Sequence, residues 1–211
     1  MPRKYPPYPF HEPVPCGMND EEIHEVVRDL MSQNPTLTLR DGGPLDPLCR
    51  ALNVDLEYSD IPNEILLEVP VDKKAVIWLG KNGKPRHDRL ATAIGVGHWI
   101  LHVPVSIEKN PGCGMQALYS PTEKVAQQEA KRFALALLMP QESFKSLWYE
   151  GKAQLVAETL NVPTLAVYDR AKMLRLDVDG DHKSDTSGVK VVDPRGILTS
   201  KEGAAAEGSA P

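Results

Sequence analysis

The sequence predicts an α+β domain in which a small three-stranded sheet packs on one central helix and an all-helical part follows. Three observations support this prediction. Alternating apolar and polar residues indicate three short strands within residues 54–79. A mostly apolar helix with two histidines follows at about 88–103. From residue 120 to about 176, helical patterns replace strand patterns.

Length, charge and cysteine content bound the class of protein. A chain of 211 residues is long enough for one well-buried core. The formal net charge of −5 makes direct nucleic-acid binding unexpected, because such binding needs a basic face. No segment approaches the roughly 18 apolar residues that cross a bilayer, and the N-terminus has no signal-peptide core. Three widely spaced cysteines indicate reduced thiols, so we expect a cytoplasmic protein without membrane contact.

Composition divides the chain into three parts. Residues 1–18 are rich in proline and aromatic residues and predict an extended arm, with a docking strap for a partner as the alternative. Residues 19–177 form the predicted folded domain. Residues 178–211 are rich in Gly, Asp, Ser and Ala and predict a flexible tail with one candidate short strand at 189–192.

Local signals give the element boundaries in the first half of the domain. Acidic residues directly after Asn19 start the first helix, because they lie at the positive end of the helix dipole. A short second helix precedes the strand 54–58, and two further strands follow at 64–69 and 74–79. The central helix should end before Pro104, because proline breaks helices.

The second half of the domain is predicted to be helical throughout. Ser120-Pro-Thr-Glu123 matches a capping box with proline at the first helical position, and this helix should run to about Met139. Phe133, Ala134, Leu137 and Leu138 are expected in its core. Three shorter helices complete the domain, at 141–149, 151–160 and 163–175.

The central helix carries His98 and His102 four residues apart, which places both rings on one helix face. Two histidines at this spacing form half of an H-E-x-x-H zinc site, in which the glutamate is the general base. If His98 is the second histidine of such a motif, Ile94 takes the place of the first and Gly95 that of the base. Neither residue can bind a metal or transfer a proton.

Three segments occur in an order that resembles one known family. Residues 89–102 are similar to R-F-T-x-A-H-E-L-G-H-x-x-L-H, and residues 127–140 are similar to E-x-x-A-N-x-F-A-x-x-L-L-M-P. Residues 156–176 are similar to a closing segment that ends in an R-L-x-x-L-G-like run. Together they resemble the ImmA/IrrE family of bacterial and phage metallopeptidases, which cut helix-turn-helix repressors in immunity and stress responses.

The resemblance implies a zincin-like fold and zinc ligands at Ile94, His98 and Gln127, with the base at Gly95. Only His98 keeps the family's residue type. A catalytic zinc needs about three protein ligands, a water and a base, and an uncharged glutamine binds zinc poorly. We therefore predict no catalytic residue, no metal and no cofactor, with a vestigial cleft formed by Ile94, Gly95, His98, His102 and Gln127.

Both histidines also have structural interpretations, which we prefer. His98 is expected to be buried and bonded to Gln127 or a backbone carbonyl, and His102 to cap carbonyls at the helix C-terminus. A rearranged metal site of His98, His102 and Glu129 is the alternative. It is disfavoured because Glu129 projects about 200° around its helix from Gln127, so both should not face one cleft.

Two functions from different classes follow. The first is a pseudo-peptidase that binds a protein without cutting it; the resemblance implies an XRE-type helix-turn-helix repressor or a related peptidase as the partner. The strand 74–79, with Val76 and Trp78, is the candidate edge for an extended peptide. The second is a zinc-dependent metallo-endopeptidase that cleaves a repressor with displaced ligands, which needs His87, Glu123 or Glu129 to reach His98.

A third hypothesis makes the chain an interaction protein with no link to repressors. Its contact surfaces would then be the proline-rich arm and the tail, and deleting them should abolish partner binding. Only the displaced-ligand peptidase requires a cofactor, namely zinc.

Overall fold

The computed structural model describes residues 8–35, 42–59, 64–81, 84–122 and 124–177, all within one compact unit that spans Met1–Val178. Their architecture is α+β, as predicted, with a five-stranded sheet and six helices among the described residues. In chain order the elements are β1 (Phe10–His11), α1 (Asp20–Gln33), α2 (Asp46–Ala51), β2 (Val54–Ser59), β3 (Ile65–Val69), β4 (Ala75–Gly80), α3 (Pro85–Lys109), β5 (Gly114–Leu118), α4 (Val125–Leu138), α5 (Gln141–Thr159) and α6 (Thr164–Met173). The candidate strand at 189–192 lies outside the described residues.

The sheet has the strand order β1-β5-β3-β4-β2. Strand β3 is antiparallel to β4 and β5, whereas β1 is parallel to β5 and β2 is parallel to β4. The three predicted strands are confirmed as β2, β3 and β4. The predicted strand number of three is wrong, because β1 and β5 extend the sheet. Both are too short to show a reliable alternating pattern and are defined by the strand beside them.

Strand β4 is an interior strand, so the predicted peptide-binding edge at Val76 and Trp78 is wrong. Val76 pairs with Asp55 of β2 on one side and with Glu68 of β3 on the other. The prediction assumed that the strands lie in the sheet in the order of the sequence. Instead the chain crosses over, so that β4 lies between β3 and β2. In the described part of the chain, the outer strands are β2 and β1.

The described part of the predicted arm packs against the domain. Strand β1 pairs with β5, and the Gly114 amide donates a hydrogen bond to the Pro9 carbonyl at 2.8 Å. The Tyr8 ring lies 2.5 Å from the position that a Cβ of residue 114 would take, so only glycine fits there. Farther along, the Val14 amide donates to Ser106 Oγ at 3.1 Å. Residues 8–14 therefore lie along β5 and α3.

Helix α3 is the central element and is longer than predicted. It continues through Pro104 to Lys109, so the predicted end at Pro104 is wrong. Pro104 is exposed, and a solvent-facing proline removes one helical hydrogen bond but leaves room for the helix to accommodate its ring. By length and composition α3 could cross a membrane, contrary to expectation. More than half of its most apolar part is buried inside the domain, as in the core helix of a soluble protein.

The helices that follow agree with the predictions except at one start. Helix α4 begins at Val125 and has no side-chain cap, so the helix start predicted at Ser120 is wrong. Before it, the Tyr119 amide donates to the Glu64 carbonyl and the Tyr119 hydroxyl to the Trp78 carbonyl, which ties this segment to the sheet. Non-helical backbone at Gly151 and Lys152 divides α5 as predicted. All four core residues predicted in α4 are buried.

Candidate functional site

Helices α3 and α4 approach most closely at Gly97. A Cβ at this position would lie 2.8 Å from the Ala130 carbonyl oxygen and 3.1 Å from the Ala130 Cα. Any side chain at residue 97 would therefore push the two helices apart. Gly97 thus permits close helix packing, and this close approach determines which side chains meet between the helices.

His98 and His102 meet side by side in this interface, one helical turn apart. Their Nδ1 atoms are 3.0 Å apart and their ring centroids 4.9 Å apart. The exposed fraction is 1% for His98 and 0% for His102. Because the two Nδ1 atoms are within hydrogen-bond distance, one ring must donate a proton and the other must accept it.

Helix α4 supplies one polar side chain to each histidine. Gln127 Oε1 lies 2.8 Å from His98 Nε2, and Glu129 Oε2 lies 2.9 Å from His102 Nε2. The predicted bond between His98 and Gln127 is confirmed. The predicted capping role of His102 is wrong, since α3 continues well beyond it and its Nε2 faces Glu129.

The prediction that Gln127 and Glu129 cannot serve one site is also wrong. At 100° per residue, Gln127 lies about 60° and Glu129 about 100° from Ala130, on opposite sides of it. Ala130 is the point of contact with α3, so the two long side chains flank the interface and reach the histidines from either side.

The segment before α1 completes the environment of Glu129. This carboxylate accepts hydrogen bonds from the Cys16 amide at 3.0 Å and the Gly17 amide at 2.8 Å, and Cys16 Sγ lies 3.5 Å from Oε2. Gly17 has a φ of 76°, a left-handed conformation that glycine adopts without strain and that turns the chain here. The one sequence signal for this contact is the pair Cys16-Gly17 shortly before a helix start. The sequence analysis did not predict a role for Cys16.

Burial determines the charge of the site. Burial, and then the neighbouring His102, lowers the pKa of His98 to about 3. Burial likewise lowers the pKa of His102, against the opposing effect of Glu129. Burial alone would raise the pKa of Glu129, but hydrogen bonds from His102, Cys16 and Gly17 lower it overall. At neutral pH both histidines are therefore neutral and Glu129 is ionised.

Two proton arrangements connect these four side chains. With Gln127 Oε1 facing His98, as the structure has it, Oε1 accepts from His98 Nε2–H, His98 Nδ1 accepts from His102 Nδ1–H, and the His102 Nε2 lone pair points at Glu129. With the Gln127 amide rotated by 180°, its nitrogen donates to His98 Nε2 and every donor reverses, so that His102 Nε2–H donates to the Glu129 carboxylate. The orientation of one amide is therefore coupled to the tautomer of His102.

The sequence profile of the IrrE N-terminal-like domain, a metallopeptidase family, matches residues 49–172, more than half of the chain. The chain belongs to this family. No curated protein matches the sequence. The matched residues run from α2 into α6 and include both histidines, Gln127 and Glu129. Cys16 and Gly17 lie outside them.

By the resemblance, Ile94 and Gly95 of this IrrE-like domain take the places of the first zinc ligand and the base. Both residues pack against apolar side chains. A Cβ at Gly95 would lie 2.9 Å from both Cδ1 and Cγ1 of Ile77 in β4, so any side chain at residue 95 requires Ile77 to shift. Ile94 is half-buried and packs against the apolar core. His98 has both ring nitrogens engaged. These residues do not fit the zinc site that the family resemblance implies.

The candidates for displaced ligands do not meet His98 either. His87 is exposed near the start of α3, eleven residues from His98 and hence about 16 Å along the helix. Glu123 lies outside the described residues. Glu129 reaches the interface, but its partner is His102. In the described part of the chain, the site is thus a buried polar network beside a closed apolar turn.

Proposed function

We propose that this IrrE-like domain is a pseudo-peptidase, which binds a protein partner and regulates it without cutting it. The observation that carries the proposal is the Ile77 side chain packed against Gly95, where the family's general base is expected. Metal-assisted peptide hydrolysis needs an activated water, a base beside it and access for the peptide carbonyl. Apolar packing replaces the base, and the histidines are inaccessible to a substrate.

A zinc-dependent endopeptidase with displaced ligands is less well supported. Its additional ligand would be Glu129, which is as buried as the histidines, with an exposed fraction of 2%. A peptide bond reaches this carboxylate only if the segment at Cys16 and Gly17, whose amides bind it, is displaced or if α3 separates from α4. No base accompanies it in the described part of the chain.

The β2 edge of the sheet offers a surface for a partner. Strand β2 pairs with β4 on one side, and no other described strand pairs with it. Tyr58 in β2 is exposed by 50%. An extended segment of a partner can add to such an edge through main-chain hydrogen bonds, a mode that needs no zinc.

The candidate partner is an XRE-type helix-turn-helix repressor, as the family resemblance implies, with a related peptidase as the second choice. DNA-binding domains carry a basic face, and the net charge of −5 on this chain favours encounter with a basic protein. A cytoplasmic location is part of this proposal, because such repressors act on DNA there.

The proposal is tested by titrating the full-length chain into purified helix-turn-helix repressors in an isothermal calorimeter, with zinc present. We expect saturable binding to one repressor and an unchanged repressor mass after incubation. The proposal would be overturned if the chain bound none of a broad panel of repressors. It would also be overturned if repressor fragments formed and a chelator prevented their formation.

Hydrogen exchange of the complex locates the surface. We expect the amides of β2 to gain protection and Tyr58→Ala to weaken binding. Tyr149→Ala is the matched control, because Tyr149 is a tyrosine of α5 exposed by 70%. Protection confined to other elements would exclude the β2 edge and leave the binding itself intact.

A further inference from the structure

Three potential metal ligands from separate parts of the chain converge between α3, α4 and the segment before α1. Cys16 Sγ, one ring nitrogen of His102 and a carboxylate oxygen of Glu129 all lie within 4.8 Å of one another. Thiolate, imidazole and carboxylate are ligand types that zinc accepts. This cluster is displaced from Ile94 and Gln127, where the family's ligands are expected.

Glu129 is a buried carboxylate that faces both other members of the cluster. Among the described residues its one ion-pair partner is His102, and its other partners are the uncharged amides of Cys16 and Gly17 and the Cys16 thiol. A carboxylate that faces an imidazole and a thiol is placed to share a cation with them.

One distance between donor atoms of the cluster already matches a tetrahedral zinc site, and a second needs to lengthen slightly. With zinc–ligand bonds of about 2.0–2.3 Å, neighbouring donor atoms lie roughly 3.3–3.6 Å apart. Cys16 Sγ and Glu129 Oε2 are 3.5 Å apart, and His102 Nε2 and Glu129 Oε2 are 2.9 Å apart. Cys16 is partly exposed, so solvent can supply a fourth ligand.

The Gln127–His98 pair is suited to hold His102 in the metal-binding tautomer. When Gln127 Oε1 accepts from His98 Nε2–H, His98 Nδ1 must accept from His102 Nδ1–H. The lone pair of His102 Nε2 then points towards Glu129 and Cys16. Partners of this kind commonly orient metal-binding histidines.

We propose that Cys16, His102 and Glu129 bind a zinc-class divalent metal ion, which fastens the N-terminal segment to α3 and α4. This proposal departs from the sequence-based expectation of no metal. The role is structural, since the described residues place no base beside the cluster. It is independent of the proposed function, because it concerns neither repressor binding nor cleavage.

The test uses the full-length chain, purified under reducing conditions and stripped with chelator, and titrates it with Co²⁺ and Zn²⁺. We expect one equivalent of Co²⁺ to give the near-ultraviolet charge-transfer absorption of a thiolate ligand, which Zn²⁺ then removes. Cys16→Ser should abolish the absorption and weaken affinity by more than about 100-fold, because loss of outer partners alone costs about 10–100-fold.

Two variants provide matched comparisons. Cys113→Ser removes another partly exposed cysteine, which is not a member of the cluster, and should leave affinity and absorption unchanged. Gln127→Leu should keep the thiolate absorption and weaken affinity by about 10–100-fold, because His102 loses its support through His98. Circular dichroism confirms that each variant is folded.

Absence of the thiolate absorption in the wild-type chain would overturn the proposal, whatever the variants do. Saturable metal binding that survives Cys16→Ser but is lost in His98→Asn would also contradict it, since the ion would then use His98. If the chain binds no metal, the cluster is a hydrogen-bonded network only.

Discussion

Two neighbouring turns of α3 have opposite chemistry. The turn of Ile94 and Gly95 is apolar and packs against Ile77 of the sheet. The turn of His98 and His102 is polar, fully buried and bonded to α4. The difference teaches that one helix can be packed by the apolar sheet at one turn and by polar partners at the next, and the proposed loss of catalysis concerns the apolar turn alone. A buried network persists because removing one member leaves the others unpaired.

The largest effect should come from breaking the polar turn at Glu129. Glu129→Ala leaves two backbone amides and His102 without an acceptor, and because each buried unsatisfied donor costs about 1–3 kcal/mol, we expect it to destabilise the metal-free protein by about 3–5 kcal/mol. Urea denaturation with chelator present measures this change. Gln128→Ala, at an exposed neighbouring position, should change stability by less than about 0.5 kcal/mol. Equal stabilities would show that the network contributes little.

Acid should destabilise the polar turn next. The pKa of His98 is lowered to about 3 in the folded metal-free protein, below the value of about 6.5 in the unfolded chain. The unfolded state therefore binds more protons, and stability that is present above pH 6.5 is lost as the pH falls. Between pH 6.5 and 4 we expect a loss of about 3 kcal/mol from His98.

The control for this pH dependence is His98→Asn, because other groups act in the same direction. Burial and Arg170 lower the pKa of His24, and the lowered pKa of Glu129 adds a further loss at more acidic pH. The difference between wild type and His98→Asn isolates the contribution of His98. Parallel stability curves for the two proteins would mean that His98 accepts a proton freely in the folded state.

The helix interface should be the next most sensitive feature. Gly97→Ala places a methyl group against the Ala130 backbone, which cannot move without separating α3 from α4, and we expect a loss of about 2 kcal/mol. Thermal and urea unfolding measure it. A stabilised Gly97→Ala variant would show that the helices are not held by close backbone contact.

The smallest effect should arise at the apolar turn. Gly95→Ala brings a methyl group against the side chain of Ile77, and we expect a loss of about 1 kcal/mol, since alanine's better helix propensity offsets part of the strain. The double variant Gly95→Ala/Ile77→Val should recover part of that loss. A purely additive double-variant cycle would contradict the direct contact between these residues.

Local patterns predicted the elements of the fold but not how they assemble. The strand patterns gave β2, β3 and β4, and the helical spacing placed both histidines on one face of α3. The order of β2 and β4 depends on a crossover that no local pattern contains, and the two residues of β1 are defined only by pairing with β5. The capping signal at Ser120 was overridden by the bonds that tie Tyr119 to the sheet.

The candidate site was predictable only where its contacts join segments that the sequence motifs already relate. The contact between His98 and Gln127 followed from the resemblance, because both positions belong to its motifs. Glu129 was considered and wrongly disfavoured, because helical angles alone do not tell where α4 crosses α3, which Gly97 determines. Cys16 was missed because its contact with Glu129 joins residues 113 positions apart through backbone amides that carry no sequence signature.

The central claim is that the apolar turn has removed peptide hydrolysis from this family member. The most direct measurement is an intact-mass time course of the bound repressor, incubated with the zinc-supplemented full-length chain. We predict that the repressor mass stays unchanged while the complex persists. Repressor fragments that accumulate with time, and that disappear with chelator and in His98→Ala, would contradict the account.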